Sequence, residues 1–143
     1  YGDHRVQHSF PTRRSSDLAC VVALGDRYTG AFSNSDELMS KIVQASILAG
    51  ENIWRLPMGD EEYDNLNAST VADIANCGKK CGATAAARFL GEFVEKKPWV
   101  HLDIAGTSES DEDTEIYSKG GTGAATMLLY EVVKLMEKPY KSY

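Results

Sequence analysis

Short apolar runs closed by turn residues alternate along this chain with segments of helical period, and no other feature constrains its fold as much. Ala19–Leu24 followed by Gly25 and Asp26 is an unbroken apolar run ended by a turn pair, the pattern of a strand buried on both faces of a parallel sheet. Trp99–Gly106 is a second such run, entered through Pro98 and left through a glycine. Ser33, Asn34 and Ser35 are candidate N-caps ahead of Asp36 and Glu37, whose carboxylates favour the positive end of a helix dipole. Leu38, Ile42, Ala45 and Ala49 then recur at helical spacing until Gly50 stops the pattern. Ile53–Leu56 ahead of Pro57 reads as extended chain, and a short polar helix is expected over Asp60–Leu66. A helix over Gly82–Val94, with Ala83, Ala85, Ala86 and Ala87 before Phe89, Leu90 and Phe93, suits close packing on a sheet through its alanine side. A final helix from about Thr122 carries Met127, Leu128, Val132, Leu135 and Met136 until Pro139. Elements alternating in this way predict α/β layering, with helices covering a central sheet.

The 143 residues suffice for one ordinary domain and not for two independent ones. With 43% hydrophobic and 25% charged residues, the chain is expected to fold around a core. Its 15 basic residues against 21 acidic ones give a net charge of -6, and no basic stripe outweighs the carboxylates. Nucleic-acid and anionic membrane partners are therefore not expected. No apolar run reaches the roughly 20 residues that span a bilayer, and no signal-peptide pattern opens the chain. A soluble, intracellular protein is the expectation. Cys20, Cys77 and Cys81 are too few and odd in number for a disulfide framework and read as free thiols. Cys77 and Cys81 flank Gly78-Lys79-Lys80, but a closed zinc site wants four ligands and only His101 follows.

The first 18 residues stand apart. His8–Leu18 has neither helical nor strand period, and it matches the in-frame translation of a common sequencing-adapter oligonucleotide. Residues 1–18 are read as an artefact of sequence assembly, and the natural sequence is expected to begin near Ala19. That removes His4 and His8, leaving His101 as the remaining histidine, so a mechanism built on a His pair or a Ser/His couple has no support.

Among residues able to carry chemistry, Asp103 is the most informative. Strand alternation puts His101, Asp103 and Ala105 on one face of an otherwise apolar segment. Two readings stay open: a residue at the carboxyl edge of a sheet, where ligand crevices form, or a strand aspartate accepting N–H bonds from the following loop. Lys119-Gly120-Gly121-Thr122-Gly123 before a helix resembles a phosphate cradle, yet it fits neither a P-loop nor a dinucleotide fingerprint and reads more readily as a close-packing device. The acidic run Ser108–Glu115 is a loop without the glycine and terminal glutamate spacing of a calcium site. Residue chemistry alone assembles no complete active site, and no catalytic residue or metal ligand is assigned.

Taken together, the stretches ACVVALGDRYTGAFSNSDEL, ENIWRLPM, VADIANCGKKCGATAAARFLGEF, PWVHLDIAGTS and KGGTGAATMLL resemble the C-terminal part of the leucine aminopeptidase family, also called cytosol aminopeptidases. They cover nearly all of residues 19–137 in order, and the last two are specific in combination. The resemblance implies that 19–143 is the C-terminal part of a catalytic domain, a partial mixed sheet covered by helices on both faces. It implies an exopeptidase that releases N-terminal residues such as leucine from peptides with two divalent ions, zinc or manganese. Such ions lower the pKa of a bridging water and polarise the scissile carbonyl. It also implies a cytoplasmic homo-hexamer.

In that family the lysine and carboxylate metal ligands, with the Asn-Thr-Asp-Ala-Glu-Gly-Arg motif, precede the segment matched by Ala19, so no ligand carries over. The chain after His-Leu-Asp-Ile-Ala lines the pocket for the substrate's first side chain, which maps to Ala105 and Ser108. Ser108 departs from the apolar residue that would suit leucine. The expectation is a chain that cannot hydrolyse peptides alone; the rival is a non-enzymatic relative serving as a binding or assembly module. A third reading, a nucleotide-binding domain using Lys119–Gly123, predicts stabilisation by ATP.

Overall fold

Thr29–Ser33 forms β1, the central strand, although Thr-Gly-Ala-Phe-Ser is a weak strand former and was not expected as one. All five residues are buried, because helices cover both faces: Ala31 packs under one helical layer and the large Phe32 ring under the other, while Gly30 lets the second layer approach closely. The structure, a computed structural model, describes residues 15–59, 66, 73–74 and 82–137, with side chains from Ala19 onward. The expected helix over Asp60–Leu66, apart from the buried Leu66, and the Cys77/Cys81 pair lie outside the described residues.

β2 (Ile53–Arg55) runs parallel to β1, pairing Thr29 with Ile53 and Ala31 with Arg55. β3 (Val100–Asp103) runs antiparallel on the other side, pairing Gly30 with Asp103 and Phe32 with His101. The result is a mixed sheet in the order β2-β1-β3. One face is covered by α2 (Asp36–Ala49) and α4 (Thr126–Met136), where Ala31, Met39, Ile42, Ala45, Leu128 and Val132 form a core. The other face meets α1 (Ser15–Leu24) and α3 (Gly82–Gly91), where Cys20, Phe32, Ala83 and Ala87 pack together. Helices on both faces of a partial mixed sheet are what the resemblance implied.

The expected strand at Ala19–Leu24 is instead the body of α1. An apolar run of six has no period that separates a strand from a buried helix, and length and context decide. Here Cys20 faces the sheet while Val22 is 87% exposed, a one-sided burial that a helix produces and a two-faced strand would not. Gly25 ends α1 with φ of 70° and donates its N–H to Val21 O at 2.8 Å, a left-handed helix stop where a strand-ending turn was expected. α1 approaches β1 so closely that a Cβ built on Gly30 would lie 2.6 Å from Cys20 Sγ.

α2 matches its expected bounds. Ser35 Oγ accepts the Leu38 N–H at 3.2 Å and Gly50 closes the helix in the left-handed region. α3 stops at Gly91, short of the expected Val94, where the helix meets the Trp99 ring and the chain turns through Glu95 and Lys96 at positive φ. The acidic run does not stay wholly in a loop: Glu109–Ser110 (β4) pairs antiparallel with Gly120–Gly121 (β5), and residues 111–119 form the tip of this hairpin. The final helix therefore begins at Thr126, four residues after Thr122. No helix among the described residues is long and apolar enough to cross a membrane.

Candidate functional site at the carboxyl end of β3

Alternation holds within β3, where His101 and Asp103 face α1 and α3 and Leu102 faces α2 and α4. The strand is shorter than the expected Trp99–Gly106 run: it ends at Asp103, and Ala105, expected on the same face, lies in the loop beyond. Asp103, the last residue of β3, is buried, and its Oδ1 accepts the Ala105 N–H at 3.1 Å. Its carbonyl receives the Cys20 thiol at 3.9 Å. The aspartate thus closes the turn that follows its own strand, the second of the two readings. Burial, and then the negative charge of Asp103, push the Cys20 thiol up to about 11, which keeps it protonated. His101 stacks on Phe32 with ring centroids 5.9 Å apart and lies 6.4 Å from Trp99. Burial lowers its pKa from the ordinary histidine value, with Asp103 opposing the shift. His101 is accordingly a neutral packing residue of the sheet.

Past Asp103 the chain makes a tight loop carrying both sequence-assigned pocket residues, Ala105 and Ser108, each half-buried. The Thr107 and Ser108 N–H groups both donate to Ile104 O, at 3.0 and 2.9 Å. Thr107 Oγ1 meets Thr29 Oγ1 at 2.8 Å, tying the loop to the start of β1. Thr122 donates its hydroxyl to Thr107 O at 2.5 Å and its N–H to Ser108 O at 3.0 Å. Gly106 sits against the Gly25 carbonyl, where any Cβ would collide with backbone.

The glycine-rich segment is neither a phosphate cradle nor a close-packing device. Gly120 and Gly121 lie in β5 with open space where a Cβ would stand. At the start of α4 the anion position is already filled: Glu51 accepts the N–H groups of Ala125 at 2.5 Å and Leu128 at 3.1 Å. Ala125, the N-cap, has no oxygen of its own to offer, so a carboxylate 74 residues away supplies the cap. Sequence inspection missed Glu51, since nothing local to Gly50-Glu51 marks a cap for another helix. A groove of about 430 Å³ beside β2, lined by Val43, Ile47, Glu51, Ile53 and Arg55 among others, includes neither Ala105 nor Ser108.

A two-ion centre does not fit these residues. Among the described residues no group of three or more His, Cys, Asp or Glu side chains could hold a metal ion. Asp103 is turned into its own loop, and in the acidic hairpin tip Asp113 Oδ1 accepts the Lys119 N–H at 2.9 Å.

The model of the cytosol aminopeptidase family catalytic domain matches residues 17–130. The chain belongs to that family. It is 49% identical over 121 residues to a probable cytosol aminopeptidase of Alkaliphilus metalliredigens, covering 84% of this chain and 24% of that protein. A probable cytosol aminopeptidase of Picosynechococcus sp. is 49% identical over 106 residues, covering 73% and 21%. Among solved structures, the bottromycin maturation enzyme BotP in complex with Mn superposes with a TM-score of 0.77 at 41% identity, covering 84% of this chain and 27% of that one. A mutant of tomato leucine aminopeptidase gives 0.72 at 40% identity, covering 80% and 22%. This member of the cytosol aminopeptidase family thus spans about a quarter of the length of the curated relatives it matches.

Proposed function

We propose that residues 19–143 are the C-terminal part of the catalytic domain of a leucyl aminopeptidase, with residues 1–18 an artefact of assembly. The whole enzyme removes N-terminal residues from peptides in the cytoplasm, as a homo-hexamer using two divalent ions, zinc or manganese. Its metal ligands lie outside these 143 residues, and the part described here supplies one wall of the cleft for the substrate's first side chain. Ala105 and Ser108 stand in that wall, and the serine makes it more polar than a leucine pocket lined by an apolar side chain. The observation that carries this reading is the 49% identity to a probable cytosol aminopeptidase over 121 residues, which include the 105–108 loop.

The test uses the purified 143-residue chain with manganese or zinc and leucine-anilide substrates. No turnover above background is expected from the chain, and turnover is expected once the upstream coding sequence is restored. Hydrolysis by the chain alone would refute the assignment of the ligands to another part of the protein. An intact protein that holds both ions and still fails on every N-terminal residue would refute the enzyme.

A further inference from the structure

The loop at the end of β3 is held from three directions, and one residue, Thr122, grips it at two carbonyls. Thr122 donates its hydroxyl to Thr107 O at 2.5 Å and its N–H to Ser108 O at 3.0 Å, while its Oγ1 accepts the Ala124 N–H at 3.2 Å. Thr107 in turn meets Thr29 at 2.8 Å, so the loop is strung between the first residue of β1 and the segment leading into α4. That segment is itself anchored, because Glu51 caps α4 at Ala125 and Leu128. Gly106 against the Gly25 carbonyl blocks movement toward the end of α1. Ala105 and Ser108 therefore have little freedom of their own.

We propose that Thr122 is a positioning residue for substrate selection, holding the Ala105–Ser108 loop at a fixed depth through Thr107 O and Ser108 O. This rests on the pocket assignment made above. A hydroxyl is needed there because the same oxygen both donates to the loop and accepts from the α4 segment, a pairing that a valine of equal shape cannot make. The loop position sets how much room remains for the substrate's first side chain, so Thr122 acts on discrimination between substrates and touches none of the reacting atoms.

The experiment compares T122V and T122S with the unsubstituted intact protein on leucine-, alanine- and phenylalanine-anilides, together with amide exchange on the 143-residue chain. T122V is expected to raise the KM for leucine-anilide by about fivefold relative to alanine-anilide, the size of one lost neutral hydrogen bond. Its kcat is expected to stay within about twofold, since uniform binding and not the chemical step is altered. T122S is expected to restore the substrate ratio. A T122V protein with unchanged KM ratios, or one losing activity on all three substrates in equal proportion, overturns the proposal. An intact protein without any turnover overturns the enzyme assignment, and the positioning is then read from exchange alone. Faster exchange of the Thr107 and Ser108 amides in T122V, reversed in T122S and absent from α2, supports it; equal exchange in all three proteins overturns it.

Discussion

Removing the Glu51 carboxylate should cost this fold more stability than its half-exposed position suggests. The side chain accepts two N–H groups at the first turn of α4, at 2.5 and 3.1 Å, where Ala125 offers no cap of its own. Replacing a capping side chain by alanine costs about 0.5–2 kcal/mol. A carboxylate at the positive end of a helix adds roughly 0.3–1 kcal/mol when solvent reaches it. Glu51→Ala should therefore destabilise by about 2 kcal/mol, and Glu51→Gln, which keeps one acceptor and loses the charge, by about 1 kcal/mol. For a domain of this size those values correspond to Tm losses of about 7 and 3–4 °C. Lys41→Ala is the control: it removes an exposed Lys41–Glu37 pair of 3.0 Å at i,i+4 spacing, expected to contribute about 0.3–0.5 kcal/mol. Thermal and urea melts of the three variants, followed by circular dichroism, decide the matter. If Glu51→Ala melts with Lys41→Ala, the capping argument is wrong, and with it the account of how α4 is tied to the end of α2.

Two further outcomes follow from the packing of β1 and β3. Gly30→Ala places a Cβ 2.6 Å from Cys20 Sγ and should cost about 1–3 kcal/mol. Adding Cys20→Ala should recover part of that loss; strictly additive effects in a double-mutant cycle of urea melts would show that the sulfur is not what Gly30 accommodates. Because burial lowers the folded-state pKa of His101, the unfolded chain binds more protons in the window below the ordinary histidine value of 6.5. The stability associated with His101 is thus present in full above that value and falls as pH drops through the lowered one. Urea melts across this range should give a shallower decline for His101→Asn, and identical slopes would contradict the assignment.

Legibility along the chain follows the range of the forces involved. α2 was readable almost to the residue, because its N-cap, dipole charges, apolar period and terminal glycine all act within one turn of where they are written. The β3 run was readable for a similar reason, as was the placement of Asp103 and His101 on one face. Ala19–Leu24 was misread because an apolar hexapeptide lacks a period, and the choice of helix rests on contacts with α3 and β1. β1 itself escaped notice. Gly30 and Ala31 at its centre are depleted in strands, and with them Thr29 and Phe32 form no apolar run or alternation long enough to mark one. At the candidate site, Ala105 and Ser108 were named from the family resemblance, whereas Thr29, Thr107, Thr122 and Glu51 emerged only when residues up to 78 positions apart came together.

Order of residues alone was enough for the α/β class, the acidic surface and the family, since each is a property of local pattern or of a run of specific residues. Folding settled which apolar run became helix, where the glycine-rich segment went, and that Asp103 serves its own turn. Those outcomes depend on which groups reach one another across the sheet. A carboxylate at position 51 caps a helix that starts at 126, and a hydroxyl at 122 holds a carbonyl at 107, because backbone groups drawn out of water need partners and the fold brings these within reach.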